Sequence, residues 1–327
     1  MHGVMADDLF SRFKGGARPP QRPVTPGIDD DDSGLAHRGP AMAHHVPEAD
    51  VMLAIERIPA MPMVVQELLS RVGNASSNAS DLEDLIKQDM AIAARLLKLV
   101  NSPFYGLGRP VSSIGEAVQI VGFSSLKCLV VAASTANLLA VDLAAYGFAE
   151  KGLWRNSVAT AALARAVGMR NGSRPEEAEE YFAAGLLRDI GMLVLGPFMT
   201  QRKVSLRAVD DGESDILRRE RQAIGHDHCW VGDRVGEKWS LPPVIRLCIA
   251  HHHRIPPTAT PAQLRLLASV RLAERLGYSL GIGVVKDHPF ESRPDPLLIQ
   301  ASGLDHQRFQ ELVKQVPEVV KSVDMNH

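Results

Sequence analysis

The sequence is short of cysteine, of net charge and of long apolar runs, and each shortage narrows what the chain can be. Cys128, Cys229 and Cys248 are scattered and form no CxxC pair, so a disulfide framework is excluded and a cytoplasmic setting is expected. Thirty-six basic residues against thirty-eight acidic ones leave a net charge of −2, which excludes the basic balance of a general nucleic-acid binder. The most apolar stretch, Cys128 to Val141, is fourteen residues long and is interrupted by Ser134, Thr135 and Asn137. It is short for a membrane span and reads as a buried core helix. The first ten residues mix His2, Asp7 and Asp8 into their apolar content, unlike a signal peptide. No membrane association is expected. What remains is 327 residues, 45% of them hydrophobic, enough for one large or two small domains with real cores.

Composition divides the chain. Residues 1–46 carry Pro19-Pro20, Pro23, Pro26, Pro40, Gly15-Gly16 and the acidic run Asp29 to Asp32. With almost no apolar periodicity, this segment cannot recover its ordering entropy by burial and is expected to be a disordered tail; a partner-binding or membrane-surface arm is the alternative. From Pro47 onward the pattern is helical. Ser80-Asp-Leu-Glu83 and Ser113-Ile-Gly-Glu116 are capping boxes, and Leu82, Leu85, Ile86, Leu96, Leu97 and Val100 follow the spacing of one buried helix face. Gly152 to Val167 is Ala-rich, and Pro175 followed by four glutamates suits the first turn of a helix that carries Ala183 to Gly191. Further helices are predicted over Glu220–Trp239, Pro243–His252, Pro261–Leu276 and Asp305–Gln315. No period-two run is sustained, so the fold class is all-α. The expected division is 47–143, 144–280 and a helical extension over 281–327.

Histidines concentrate at His226, His228 and His251-His252-His253, with Asp189, Asp227 and Asp233 as nearby carboxylates. Such a cluster is what a metal site for phosphoester hydrolysis needs, because imidazole and carboxylate bind divalent ions that activate water. A plain polar network explains the same residues. The histidine triplet falls at a predicted helix C-terminus, where protonated rings complement the dipole, and at least one of the three must face away from any common point. Asp227 is a candidate N-cap. Asp189 lies among Leu186, Leu187 and Ile190 and needs buried partners.

Several motifs in order make the chain resemble the HDOD family, all-helical relatives of the HD phosphohydrolases found in bacterial signalling proteins. They are Ile58-Pro-Ala-Met-Pro62 with Leu68-Leu69, Gln88-Asp89, Leu96 to Ser102, Tyr105-Gly106, Ile114 to Ala117 and Val121-Gly122. Gly185-Leu-Leu-Arg-Asp-Ile-Gly191, Gly225-His-Asp-His228, Gly232, Trp239, Leu241-Pro242 and His251-His252 continue the likeness. It covers roughly Val51 to Gly277 and implies an HD-like helical subdomain.

The resemblance also implies a degenerate metal site. Where HD hydrolases place an early helix histidine, this chain has Asn156; the signature His-Asp pair is Arg188-Asp189; the later aspartate is Glu274. Asn156, Arg188, Asp189, His228, His251, His252 and Glu274 are therefore the candidate site. Asp189, His228, His252 and Glu274 are the residues that could still hold a divalent metal, although no cofactor is expected. Arg188 is a fixed positive charge that no accessible pH removes, and it is expected to pair with Asp189 or another carboxylate in place of the metal. The expected function is a non-catalytic regulatory module acting through a signalling protein partner, with no nucleic acid and no catalytic residue. The alternatives are a metal-dependent phosphohydrolase on a nucleotide or cyclic dinucleotide, and a nucleotide sensor using Arg188 with Lys127 or Arg155.

Overall fold

The structure is a computed structural model that describes residues 45–61, 66, 86, 90–101, 107–139, 141–206, 215–286, 288–290, 292 and 295–324. The capping box at Ser80–Glu83, the motifs Leu68-Leu69, Gln88-Asp89 and Tyr105-Gly106, the Lys127 side chain, and all but the last two residues of the expected tail lie outside the described residues.

Helix α1 (Glu48–Arg57) carries Glu48 and Asp50 in its first turn and Arg57 in its last, each charge complementing the helix dipole. Helix α2 (Met90–Val100) buries Ile92, Leu96 and Val100, one residue per turn on a single face. The side chain of Asn101 then accepts from Val111 N at 2.6 Å and donates to Val111 O at 2.8 Å, which pins the two ends of the intervening segment together. Helix α3 (Ile114–Val121) starts where the sequence places it, with Ser113 Oγ accepting from Glu116 N at 3.2 Å. Helix α4 (Phe123–Leu139) is the expected core helix, with every residue from Leu129 to Ala133 buried.

A short 3-10 turn (Ala144–Tyr146) leads into α5 (Gly152–Arg170) and α6 (Pro175–Leu187). Arg188 to Gly191 form a turn that keeps near-helical backbone angles, after which α7 (Met192–Gln201) follows. Arg188 and Asp189 thus lie just past the helix predicted to carry them. The stretch 177–201 is long and apolar enough to cross a membrane, but 83% of its most apolar window is buried inside the protein, where it serves as core.

The single helix predicted over Glu220–Trp239 is two: α8 (Ile216–Ile224) and α9 (His228–Lys238). Gly225 takes a left-handed conformation with φ 90° that ends the first, and Asp227 Oδ1 accepts from Trp230 N at 2.8 Å to start the second. Helices α10 (Pro243–His251), α11 (Pro261–Ser279), α12 (Pro296–Ala301) and α13 (His306–Asp324) complete the order. Among the described residues the only β pairing is an isolated bridge between Phe148 and Val284. The fold is all-α, and residues 44–327 form one compact unit. A contiguous apolar core runs from Val46 to Phe290.

Small residues set the helix spacing around the centre of this unit. Helix α5 packs along α6 and α11, and its Ala159, Ala161, Ala162 and Ala164 are all buried. Gly191 brings its turn onto the first turn of α9 so closely that a Cβ there would sit 2.0 Å from His228 O and 2.7 Å from Gly232 N. Both contacts are with backbone, which cannot swing away. Gly191→Ala is therefore expected to destabilise the fold by about 2 kcal/mol or more, whereas Gly108→Ala, with nothing near its Cβ, changes stability by less than about 0.5 kcal/mol; urea denaturation of both variants makes the comparison.

Candidate functional site

Four elements converge on a buried polar centre: α5 with Asn156, the α6–α7 turn with Arg188 and Asp189, the start of α9 with His228, and the end of α10 with His252. Each of these residues has at most 1% of its surface exposed. Helix α11 closes the centre with Glu274, 3% exposed.

Arg188 organises one half. Its Nε donates to Glu274 Oε1 at 3.0 Å, its Nη1 to Gly185 O at 2.8 Å, and its Nη2 to Asn156 Oδ1 at 2.5 Å. The same Nη2 lies 2.8 Å from Asp189 Oδ2. A buried guanidinium costs several kcal/mol to desolvate unless its donors and its charge are both met; here every nitrogen has an acceptor and two carboxylates supply the counter-charge. Burial works against the charged form of Arg188, yet Asp189 and Glu274 outweigh it and hold the group protonated. Burial likewise pushes the Asp189 carboxyl up, but Arg188 first and the two histidines next hold it well below the usual carboxylate range.

The histidines organise the other half. His228 Nδ1 lies 2.9 and 2.8 Å from the two carboxylate oxygens of Glu220, which also accepts from His228 N at 3.1 Å. Glu220 is itself buried and held by Tyr146, whose hydroxyl donates to Oε1 at 2.6 Å. His252 Nδ1 lies 3.1 Å from the carbonyl oxygens of Cys248 and Ile249. Carboxylates and carbonyls only accept, so both Nδ1 atoms carry the proton and both Nε2 atoms turn to the centre. There His228 Nε2 and His252 Nε2 lie 3.3 Å apart, and Asp189 Oδ1 lies 3.5 Å from the first and 3.3 Å from the second. Neither Asp189 oxygen completes a well-directed hydrogen bond.

This triangle fits a divalent cation. Two donors on a tetrahedral zinc with bonds of about 2.1 Å stand about 3.4 Å apart, which is the observed spacing. The pinned Nδ1 atoms are the outer-shell arrangement that orients metal-binding imidazoles, and an unsatisfied buried carboxylate oxygen is what a cation would complete. His253 brings a fourth donor within 4.8 Å of the others. When bound, such an ion would polarise a phosphoryl oxygen and acidify a water.

The charge balance of the centre accommodates either protons or a cation. Asp189, Glu220 and Glu274 are buried against the single charge of Arg188, leaving two negative charges. Two imidazolium protons or one divalent cation neutralise them equally. Burial lowers the pKa of His228, but the Glu220 carboxylate and the Cys229 sulfur outweigh it and raise the value well above normal. For His252, burial is outweighed by the Cys229 sulfur and the Asp189 carboxylate, and the pKa is pushed up to about 10. Burial and the positive charges of His252, His228 and Arg271 push His253 far down, so that ring is neutral.

Of the residues singled out from the sequence, Asn156, Arg188, Asp189, His228, His252 and Glu274 meet at the centre. Glu274 lies on Arg188 and outside the four-donor group, in which His253 stands instead. His251 is the triplet member outside the group, half-buried in the last turn of α10. His226 stacks on Trp230 with centroids 5.1 Å apart and bonds to Val46 O at 2.8 Å. Asp233 pairs with Arg246 at 2.9 Å, and Arg155 donates to Glu150 O at 3.2 Å. Sequence reading missed Glu220 and Tyr146. Glu220 stands among Arg218, Arg219 and Arg221 and reads as a solvated helix face; only its four-residue spacing from the buried Ile216 and Ile224 marked an inward position.

The fold and centre together define a helical domain of the HD-related kind. The sequence model of the HDOD domain matches residues 58–255, and the chain belongs to that family. A curated but uncharacterised protein of Treponema pallidum is 28% identical over 211 residues, 64% of this chain; the match spans about 40% of that relative's length. An HDOD domain protein of unknown function from Geobacter sulfurreducens has a similar fold, with a TM-score of 0.65, 23% identity, and coverage of 86% of this chain and 99% of the other. A candidate phosphohydrolase from Shewanella amazonensis gives 0.61 at 21% identity, covering 85% and 98%. A candidate signal transduction protein from Marinobacter aquaeolei gives 0.61 at 19% identity, covering 85% and 65%. At these identities the structural likeness speaks for the fold.

Two outcomes follow. Arg188→Ala strands Asp189 and Glu274 as buried charges and is expected to cost roughly 3–5 kcal/mol, read as a lowered urea midpoint. His228 and His252 titrate above their ordinary 6.5 in the folded protein, so their contribution is complete below that pH and is lost as the pH rises towards about 10. Chelator-treated protein should lose stability across that window, while protein loaded with a divalent ion should hold a flat midpoint.

Proposed function

We propose that this chain is a regulatory signal-transduction protein whose HDOD domain acts through binding, without phosphoester turnover. The observation that supports this most is the state of Arg188. Asn156, Arg188, Asp189 and Glu274 are four of the positions that the HD resemblance assigns to the degenerate metal site, and the buried guanidinium of the second contacts the other three at 2.5 to 3.0 Å. At an effective dielectric of 20, a fixed unit charge about 5 Å away opposes each unit of cation charge by about 3 kcal/mol. Asp189, His228 and His252 are also at most 1% exposed, whereas a hydrolytic centre must admit a phosphoester. On this reading the domain lives in the cytoplasm and passes its state to a signalling protein partner.

A second reading, a metal-dependent phosphohydrolase, rests on the donor triangle of Asp189, His228 and His252. Asp189 and the two Nε2 atoms would hold the ion, and Glu220 would keep His228 oriented. Elemental analysis of purified protein, joined to assays with bis(p-nitrophenyl) phosphate and cyclic di-GMP in added manganese or magnesium, separates the two. The regulatory reading expects at most one ion per chain and no hydrolysis above background. Turnover abolished by Asp189→Asn and by His228→Ala would overturn it. Arg188→His, which removes the opposing charge and restores the signature histidine, is expected to tighten metal binding by about tenfold or more, measured by competition with a chelating dye.

A further inference from the structure

Beside the buried centre, and sharing Glu274 and His253 with it, lies a cavity of about 170 Å³. One wall is a single face of α11, on which Arg271, Glu274, Arg275 and Tyr278 recur at helical spacing. The facing walls are His253 and Arg254 beyond α10 and the Asp215 cap of α8. The lining sets three guanidinium groups against two carboxylates, and Glu274 is already committed to Arg188.

Arg271 and Arg275 are held in place within the protein, whereas Arg254 is an exposed side chain at the rim. Arg271 donates to His252 O at 3.1 Å and also to His253 O. Arg254 is braced by Asp215, and Arg275 donates to Asp295 Oδ2 at 2.7 Å, a carboxylate that is not part of the lining. Two further lining residues end in buried polar atoms that complete no well-directed hydrogen bond, His253 Nε2 and the Tyr278 hydroxyl, whose oxygen also faces the Arg188 guanidinium and leaves its O–H proton without an acceptor. Tyr278 is 3% exposed. A buried hydroxyl left without an acceptor costs on the order of 1–3 kcal/mol, which a ligand oxygen in the cavity would recover.

Size and chemistry select the ligand. Pockets that enclose a drug-sized molecule run to roughly 300–1,000 Å³, so a volume of 170 Å³ encloses a group of phosphate size and not a whole nucleotide. Guanidinium forks match the oxygens of a phosphoryl group, and a tyrosine hydroxyl adds a neutral donor.

We infer that this cavity binds one small phosphoryl oxyanion, and that its occupancy is the input which the regulatory domain reads. The inference rests on the regulatory reading above and gives it an input. Arg271 ties the cavity to the backbone of the α10 end, where His252 resides, and Glu274 ties it to Arg188. An anion drawing on Arg271 and Arg275 therefore acts on both halves of the buried centre without entering it.

Calorimetric titration of the chelator-treated 327-residue chain with inorganic phosphate, in a buffer free of other oxyanions, tests this. The expected result is one phosphate per chain. Arg275→Gln should weaken binding by about tenfold and Tyr278→Phe by about threefold. Arg246→Gln, on the separate surface pair with Asp233, should leave binding unchanged. Both cavity variants need circular dichroism to confirm the fold, and Tyr278→Phe removes only a hydroxyl, so the test survives if the arginine variant unfolds. A nucleoside monophosphate that displaces phosphate at lower concentration assigns the anion to a nucleotide's end group; failure to displace assigns it to the free ion. No heat of binding at millimolar phosphate, or binding untouched by both cavity variants, overturns the inference. Because the protein is chelator-treated and no turnover is read, that failure leaves the regulatory reading standing. Hydrolysis of a phosphodiester would sink the regulatory reading whether or not phosphate binds.

Discussion

The contact on which the centre depends is the ion pairing of Arg188 inside the core. A guanidinium with no exposed surface is tolerated only because Asp189, Glu274, Asn156 and the Gly185 carbonyl meet it from three helical elements at once. Hydrophobic burial draws α5, α6 and α11 together, but it is indifferent to rotations and slides that keep apolar surface covered. A forked cation with several fixed acceptors is not indifferent, so it selects one register among the many that would bury the same area. That specificity carries a cost in desolvation.

Around that anchor, backbone does the work that side chains usually do. Gly191 and Gly232 let the α6–α7 turn and the first turns of α9 approach main chain to main chain, which places Asp189 against His228 with little slack. Glu220 and Tyr146 then fix the ring from behind. The outcome is a donor triangle whose edges agree to within 0.2 Å, without any ordered element being devoted to metal binding alone.

Much of this could be read from the sequence, and the limits are instructive. Ser113, Asp227 and Pro175 announce helix starts because capping is a local interaction between residues three apart. Arg188-Asp189 stood out because charged residues inside an apolar run demand partners, and those partners are present. The candidate N-cap Asp227 and the single helix predicted over Glu220–Trp239 were in conflict, and the left-handed Gly225 decides for the cap. The choice of His253 over His251 and the inward turn of Glu220 were out of reach. Each depends on a helix's rotation about its axis, which is set by distant packing and leaves no mark in neighbouring residues.

The position of Glu274 and Tyr278 bears on where this domain ends. The HDOD match stops at residue 255, yet the acid that completes the Arg188 pair stands in α11, nineteen residues further on. A fragment cut at the family boundary would keep the buried guanidinium and lose one of its two counter-charges together with one wall of the core. The physical domain is therefore longer than the recognisable one. The compact unit runs well past the family match, and any attempt to transplant this module into another chain has to carry at least α11 with it.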